Sequence, residues 1–165
     1  MDEAKKQFIK IVEDIVEQAR DLRDKYTIEK SAPVNYVCIF SHDDIEYNEL
    51  LAVAHELGTV VHETKMGLVF QIQPINTVSG QLELLKIRKP DSKRPERGDA
   101  DFTVSDYPAF KKMYLGKLGF GIIVRPNMEM IELANPTYDV LAYFSYPPLF
   151  EVLGLTFKDA NSRGK

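Results

Sequence analysis

From Asp2 to Tyr26 apolar side chains fall at Phe8, Ile11, Val12, Ile15, Val16, Ala19, Leu22 and Tyr26, with Lys, Glu, Asp and Arg filling the gaps. Steps of three and four gather them on one stripe, which predicts an amphipathic helix that must lie on an apolar surface. After Pro33 the run VNYVCIF is apolar on both faces and predicts a buried strand. Ser41 to Asp44 offer capping oxygens for a helix carrying Leu50, Leu51, Ala54 and Leu57 inward, with Gly58 expected as its left-handed stop. Then come TVVHET, a turn at KMG, LVFQIQ, a loop from Pro74 to Gly80, and QLELLKI, three strand-like runs separated by turn residues.

Beyond a connector rich in cations and prolines the same order begins again. ADFTV reads as a strand, and Ser105 and Asp106 cap a helix through YPAFKKMYLGK with Pro108 in its first turn. GFGIIVR, MEMIELA and YDVLAYFS follow as strands, and PPLFEVLGL closes the chain as a short helix. The elements predict an N-terminal helix over 2–30 and two modules of order strand, helix, three strands, over 33–90 and 98–153. A polar tail over 158–165 is expected to be mobile.

At 165 residues, the chain is long enough to bury a sizeable core as one domain. Its one cysteine, Cys38, leaves no internal disulfide and no Cys-rich zinc site, as expected of a protein in the reducing cytoplasm. No stretch reaches the roughly 18 apolar residues of a membrane span. A net charge of −4 argues against a nucleic-acid partner, which asks for a basic footprint. There is no Gly-rich phosphate loop, Walker sequence or G-x-S-x-G elbow, which removes nucleotide hydrolysis and serine esterase chemistry.

Three stretches, PVNYVCIF, LELLKIRKPDSKRPERGDADFTV and ELANPTYDVLAYFSYPPLFEVL, resemble in order and character the vicinal oxygen chelate superfamily, which includes glyoxalase I and extradiol dioxygenases, and within it YecM-like proteins. The resemblance implies an α+β fold of two tandem βαβββ modules forming a curved mixed sheet around a cup. It implies a divalent metal held by first and last strands. Carried over residue by residue, the metal positions fall on Asn35, Glu83, Asp101 and either Tyr143 or Ser145, of which Glu83 and Asp101 suit a hard cation. A shift of three residues would put Lys86 in place of Glu83. The implied function is metal-assisted isomerase, lyase or oxygenase chemistry on a small oxygen-bearing substrate, by a monomer or homodimer.

The residues leave other readings open. Asp99, Asp101, Thr103 and Ser105 alternate with Ala100, Phe102 and Val104, so they share a face that either meets water or lines a polar cavity. Arg88, Arg94 and Arg97 belong either to a solvated connector or to the mouth of a cup, where they would hold an anion. The three histidines show no ligand spacing; His62, before the KMG turn, is the one retained as an acid or base, and Glu132 the one carboxylate of MEMIELA retained as a pocket residue. Cys38 alternates with Tyr36 and Phe40, as a buried inert thiol does. The alternatives to a metal enzyme are therefore a metal-free module binding an organic anion through Asn35, Arg88, Arg94, Arg97, Thr103 and Tyr143, or an interaction protein with a filled cup.

Overall fold

The computed structural model describes residues 2–156; the tail expected over 158–165 lies outside them. In chain order the elements are α1 (Glu3–Tyr26), β1 (Val34–Phe40), α2 (Asp44–Leu57), β2 (Gly58–Thr64), β3 (Gly67–Thr77), β4 (Gly80–Arg88), β5 (Gly98–Phe102), α3 (Tyr107–Tyr114), β6 (Phe120–Arg125), β7 (Met128–Leu133), β8 (Val140–Tyr146) and α4 (Leu149–Val152). All eight strands make one curved sheet in the order β2-β3-β4-β1-β5-β8-β7-β6. Within each half the first strand lies parallel to the fourth, β1 to β4 and β5 to β8, and the halves meet where β1 and β5 run antiparallel. The second unit is thus the first turned about that seam, and polar groups near the seam come from both.

The helices cover one face. α1 begins where the Asp2 side chain accepts from the Lys5 N–H, and its stripe of Phe8, Val12, Ile15, Val16, Ala19 and Leu22 is buried. It packs across β8, β5, β1 and β3, spanning both units. Under it lie Val37, Ile39, Leu85, Ile87, Ala100, Phe102, Ala142 and Phe144. Phe110 and Tyr114 of α3 extend this core as an aromatic cluster, with the Phe110 ring tilted against Phe144 at 4.4 Å between centroids. The alternate residues, Cys38, Phe40, Leu141 and Tyr143, turn to the opposite face. There the segment from α4 to Thr156 meets the first unit: α4 packs on β1, and Gln71 Nε2 donates to the Thr156 carbonyl.

Three local expectations are corrected. Gly58 is no left-handed stop; it is extended and opens β2 directly after α2. A Cβ there would stand 2.0 Å from the Gln71 carbonyl oxygen, so glycine is required by the close approach of β3. The Pro74 to Gly80 loop is mostly strand, because β3 runs on to Thr77. Pro74 is tolerated inside it because the β3–β4 ladder is interrupted between Gln71 and Ile75, where no N–H is demanded. β5 starts at Gly98 and ends at Phe102, so Thr103 and Ser105 lie beyond the strand and the four polar residues do not form one continuous row.

Candidate functional site

On the face away from α1, α2 and α3, the seam between the units opens into a cavity of about 240 Å³. Its lining draws on both units: Tyr36 and Cys38 of β1, Lys86 and Arg88 of β4, Asp99 and Asp101 of β5, Ile123 and Arg125 of β6, Met130 of β7 and Tyr143 of β8, with Met66 and Arg94 from loops. Strand register explains the gathering. Asp99 lies beside Cys38 on one side and Leu141 on the other, and Cys38 in turn lies beside Lys86. Asp101 lies between Tyr36 and Tyr143 in the same way.

The two carboxyls are 7% and 2% exposed, so they line a polar cavity and do not meet bulk water. Asp101 is well held. Its Oδ1 accepts from the Ser145 backbone N–H at 3.0 Å and from Asn35 Nδ2 at 3.3 Å, while the Asn35 amide also donates to Thr103 Oγ1 at 2.9 Å. Burial lifts its pKa from 3.8 to about 6, with the hydrogen bonds from Ser145 and Asn35 pulling the other way. Asp99 is pushed well above the carboxylate range by burial and then by the neighbouring Asp101, against the opposing charges of Lys86 and Arg88. Burial likewise drives the Cys38 thiol well up, which makes it a poor nucleophile. Tyr143 donates from its hydroxyl to Glu132 Oε2 at 2.6 Å, and burial followed by the charge of Asp99 raises its pKa far above that of a free tyrosine.

Of the residues singled out from sequence, Asp101, Arg88, Arg94 and Tyr143 line the cavity, Asn35 and Glu132 stand one contact behind it, and Thr103 stands behind Asn35. Three lie elsewhere. Glu83 is buried but is not in the lining, because the β4 residue level with Cys38 is Lys86. His62 is exposed on β2, the outermost strand, with β3, β4 and β1 between it and β5. Arg97 reaches away from the mouth to Glu46 of α2, donating to Oε1 at 2.8 Å and Oε2 at 3.2 Å, and to the Phe40 carbonyl. Arg125 and Lys86 are the contributors that periodicity misses. Lys86 was legible only as a shifted alternative, and Arg125 reaches the cavity through the curvature of the sheet.

The Arg97–Glu46 fork carries its own expectation. Burial raises Glu46, but the Arg97 and His42 hydrogen bonds outweigh it and hold the carboxyl below its ordinary 4.5. The pair therefore stabilises the fold above that pH and loses its effect as pH falls through the lowered value. Arg97→Met is expected to cost about 1 kcal/mol in urea unfolding at pH 7, with the difference from the parent protein shrinking in acid; a pH-independent difference would contradict this.

The donor set does not suit a divalent metal. No three His, Cys, Asp or Glu residues are grouped to hold an ion among the described residues, and Lys86, Arg88, Arg94 and Arg125 share the cavity with the two aspartates. Arg88 Nε is buried without a partner, while its Nη2 donates to Asp91 at 3.1 Å. Beside it, Asp99 makes no hydrogen bond or ion pair among the described residues.

Two βαβββ units joined edge to edge around a shared cavity define the class: a glyoxalase-like α+β fold with an added N-terminal helix. No family model and no curated protein matches the chain. Among solved structures, one described as the structural-genomics protein EC4020 aligns over 88% of this chain and 90% of its own, at TM-score 0.65 and 12% identity. A glyoxalase I variant from Zea mays aligns over 69% of this chain and 43% of its own, at TM-score 0.40 and 15% identity. The chain therefore spans under half of that glyoxalase I, and the first likeness is one of fold alone. No helix among the described residues is long and apolar enough to cross a membrane.

Proposed function

We propose that the cavity at the seam binds a small organic anion directly, without a metal. The observation that carries this reading is the Arg88 guanidinium, which lines the cavity and whose Nε–H is buried with no acceptor. A buried donor of this kind is costly unless something accepts from it, and a carboxylate or phosphate oxygen supplies that acceptor with charge assistance. Lys86, Arg94 and Arg125 line the same space and extend the attraction. A divalent ion would face these cations with only Asp99 and Asp101 of the aspartates and glutamates in its lining, a poor set for a hard metal.

A catalytic version of this reading is favoured by Asp101, whose pKa of about 6 lies close enough to neutrality for proton transfer to a bound substrate. The chain's likeness to YecM-like proteins is our assignment on the three stretches quoted above and on the N-terminal helix that spans both units. Because one chain supplies both halves of the cavity, we read it as a monomer.

The test is titration calorimetry with a panel of small carboxylates and phosphates, with and without EDTA, on the parent protein and on Arg88→Met and Lys86→Met. Each substitution is expected to weaken binding at least about tenfold, the loss of one charge-assisted hydrogen bond, and EDTA is expected to change nothing. Binding that appears only with added divalent ions, or that survives both substitutions, would overturn the reading.

A further inference from the structure

The cavity is divided chemically. Its cationic part comes from β4, β6 and the connector, through Lys86, Arg88, Arg125 and Arg94, and its acidic part is the β5 pair, Asp99 and Asp101. The two acids differ in what the protein gives them. Asp101 receives the Ser145 N–H and the Asn35 amide. Asp99, 7% exposed, receives no hydrogen bond from any described residue. Asp99 nevertheless lines open space, so it is little exposed, unpartnered by the protein and set against the cavity. Buried polar groups in native proteins have partners almost without exception, and the partner of a carboxyl that faces a cavity is what the cavity holds.

Position says how the two demands combine. Asp99 and Lys86 flank Cys38 on neighbouring strands, which separates their backbones by two strand spacings, about 10 Å. Both residues line the cavity, and the charges of Lys86 and Arg88 act on Asp99. The volume of about 240 Å³ is below the roughly 300–1,000 Å³ of sites for drug-sized ligands, which limits the occupant to a small molecule. A plain anion would satisfy Arg88 and leave the acceptor oxygen of Asp99 without a donor. A ligand with a hydrogen-bond donor near its anionic group satisfies both.

Resting on the anion-binding reading above, we infer that the ligand is a small hydroxy acid or amino acid, its carboxylate on the Arg88 side and its hydroxyl or ammonium group donating to Asp99. Asp99 is then the specificity residue of the cup: Arg88 selects for an anion, and Asp99 selects among anions for those that carry a donor. Sites built to hydrogen-bond a polar substrate group reject the analogue lacking it far more strongly than apolar pockets reject a missing methylene.

Three matched series of two- to five-carbon acids test this by calorimetry: plain acids from acetate to glutarate, hydroxy acids from glycolate to 2-hydroxyglutarate, and amino acids from glycine to glutamate. In the parent protein one donor-bearing series is expected to bind at least tenfold more tightly than plain acids of the same length, and which series does so separates hydroxyl from ammonium. Asp99→Leu is expected to remove that preference, so that donor-bearing and plain acids of the same length bind within about twofold of one another. Asp99→Ala serves as the second variant where leucine crowds the cup, and Arg88→Met weakens all series alike. Equal affinity for plain and donor-bearing acids, unchanged by either Asp99 substitution, would overturn the inference and leave the anion-binding reading standing. Binding of no acid in any series would overturn both.

Discussion

Replacing Arg23 by methionine is expected to destabilise the protein by about 3–5 kcal/mol, the range for breaking a buried charged network. Arg23 is 1% exposed, an unusual burial for an arginine. Its Nη1 donates to the Ala32 carbonyl at 2.7 Å, its Nη2 to the Lys30 carbonyl at 2.9 Å and its Nε to Asp24 at 3.0 Å. The guanidinium also stands 4.6 Å from the Phe102 ring centroid on β5. One side chain thus ties the last turn of α1 to the segment leading into β1 and to the middle of the sheet. Methionine fills the volume but leaves the buried Ala32 carbonyl and the part-buried Lys30 carbonyl without this donor, and a buried group so stranded costs about 1–3 kcal/mol. Urea unfolding at pH 7 measures the loss, and a loss under 1 kcal/mol would show that the arginine is incidental to the fold.

The second large effect has the opposite sign. Asp101→Asn is expected to stabilise the protein by about 3 kcal/mol at pH 8, since a lift from 3.8 to about 6 corresponds to roughly 1.4 kcal/mol per unit. The folded protein holds this proton to higher pH than the unfolded chain does. Stability is therefore lost as pH rises from about 4 to about 6, and the penalty persists above that. Asparagine keeps an oxygen for the Ser145 N–H and the Asn35 amide, so it removes the charge and retains the acceptor. Thermal melts of both proteins from pH 4.5 to 8 check the sign: the gap should open with rising pH. A variant less stable than the parent at pH 8 would mean that the carboxylate is stabilised in place, against the argument from burial. An acid kept at a cost to stability marks a position that function has reason to hold.

Periodicity carried most of the fold. The α1 stripe was legible because its apolar steps match one helix face, and the eight strands because Pro, Gly and Asn punctuate short apolar runs. The repeat of element order led to the two units. The failures share a cause, which is that they depend on neighbours distant in sequence. Gly58 is extended because the Gln71 backbone crowds it, and β3 continues through Pro74 because the ladder to β4 breaks there.

The site was legible in its materials more than in its assignments. Asp101, Arg88, Arg94 and Tyr143 reach the cavity, and Asn35 and Thr103 support Asp101 from behind. That Asp99 stands without a partner, or that Arg97 turns to α2, follows from register and helix placement. Glu83 was carried by resemblance to a family whose fourth strand supplies a ligand; here the register of β4 brings Lys86 to that level.

The placement of α1 also sets an order of events during synthesis. Its apolar stripe lies partly on β8, whose first residue emerges about 110 residues after the helix is complete. At about 5–20 residues per second that interval is about 6–20 s, during which the helix has only part of its final surface available. β5 reaches it first, and the floor is complete only once β8 has been made through Tyr146. A ribosome stalled before Val140 therefore holds a nascent chain whose most regular helix has no complete floor to lie on.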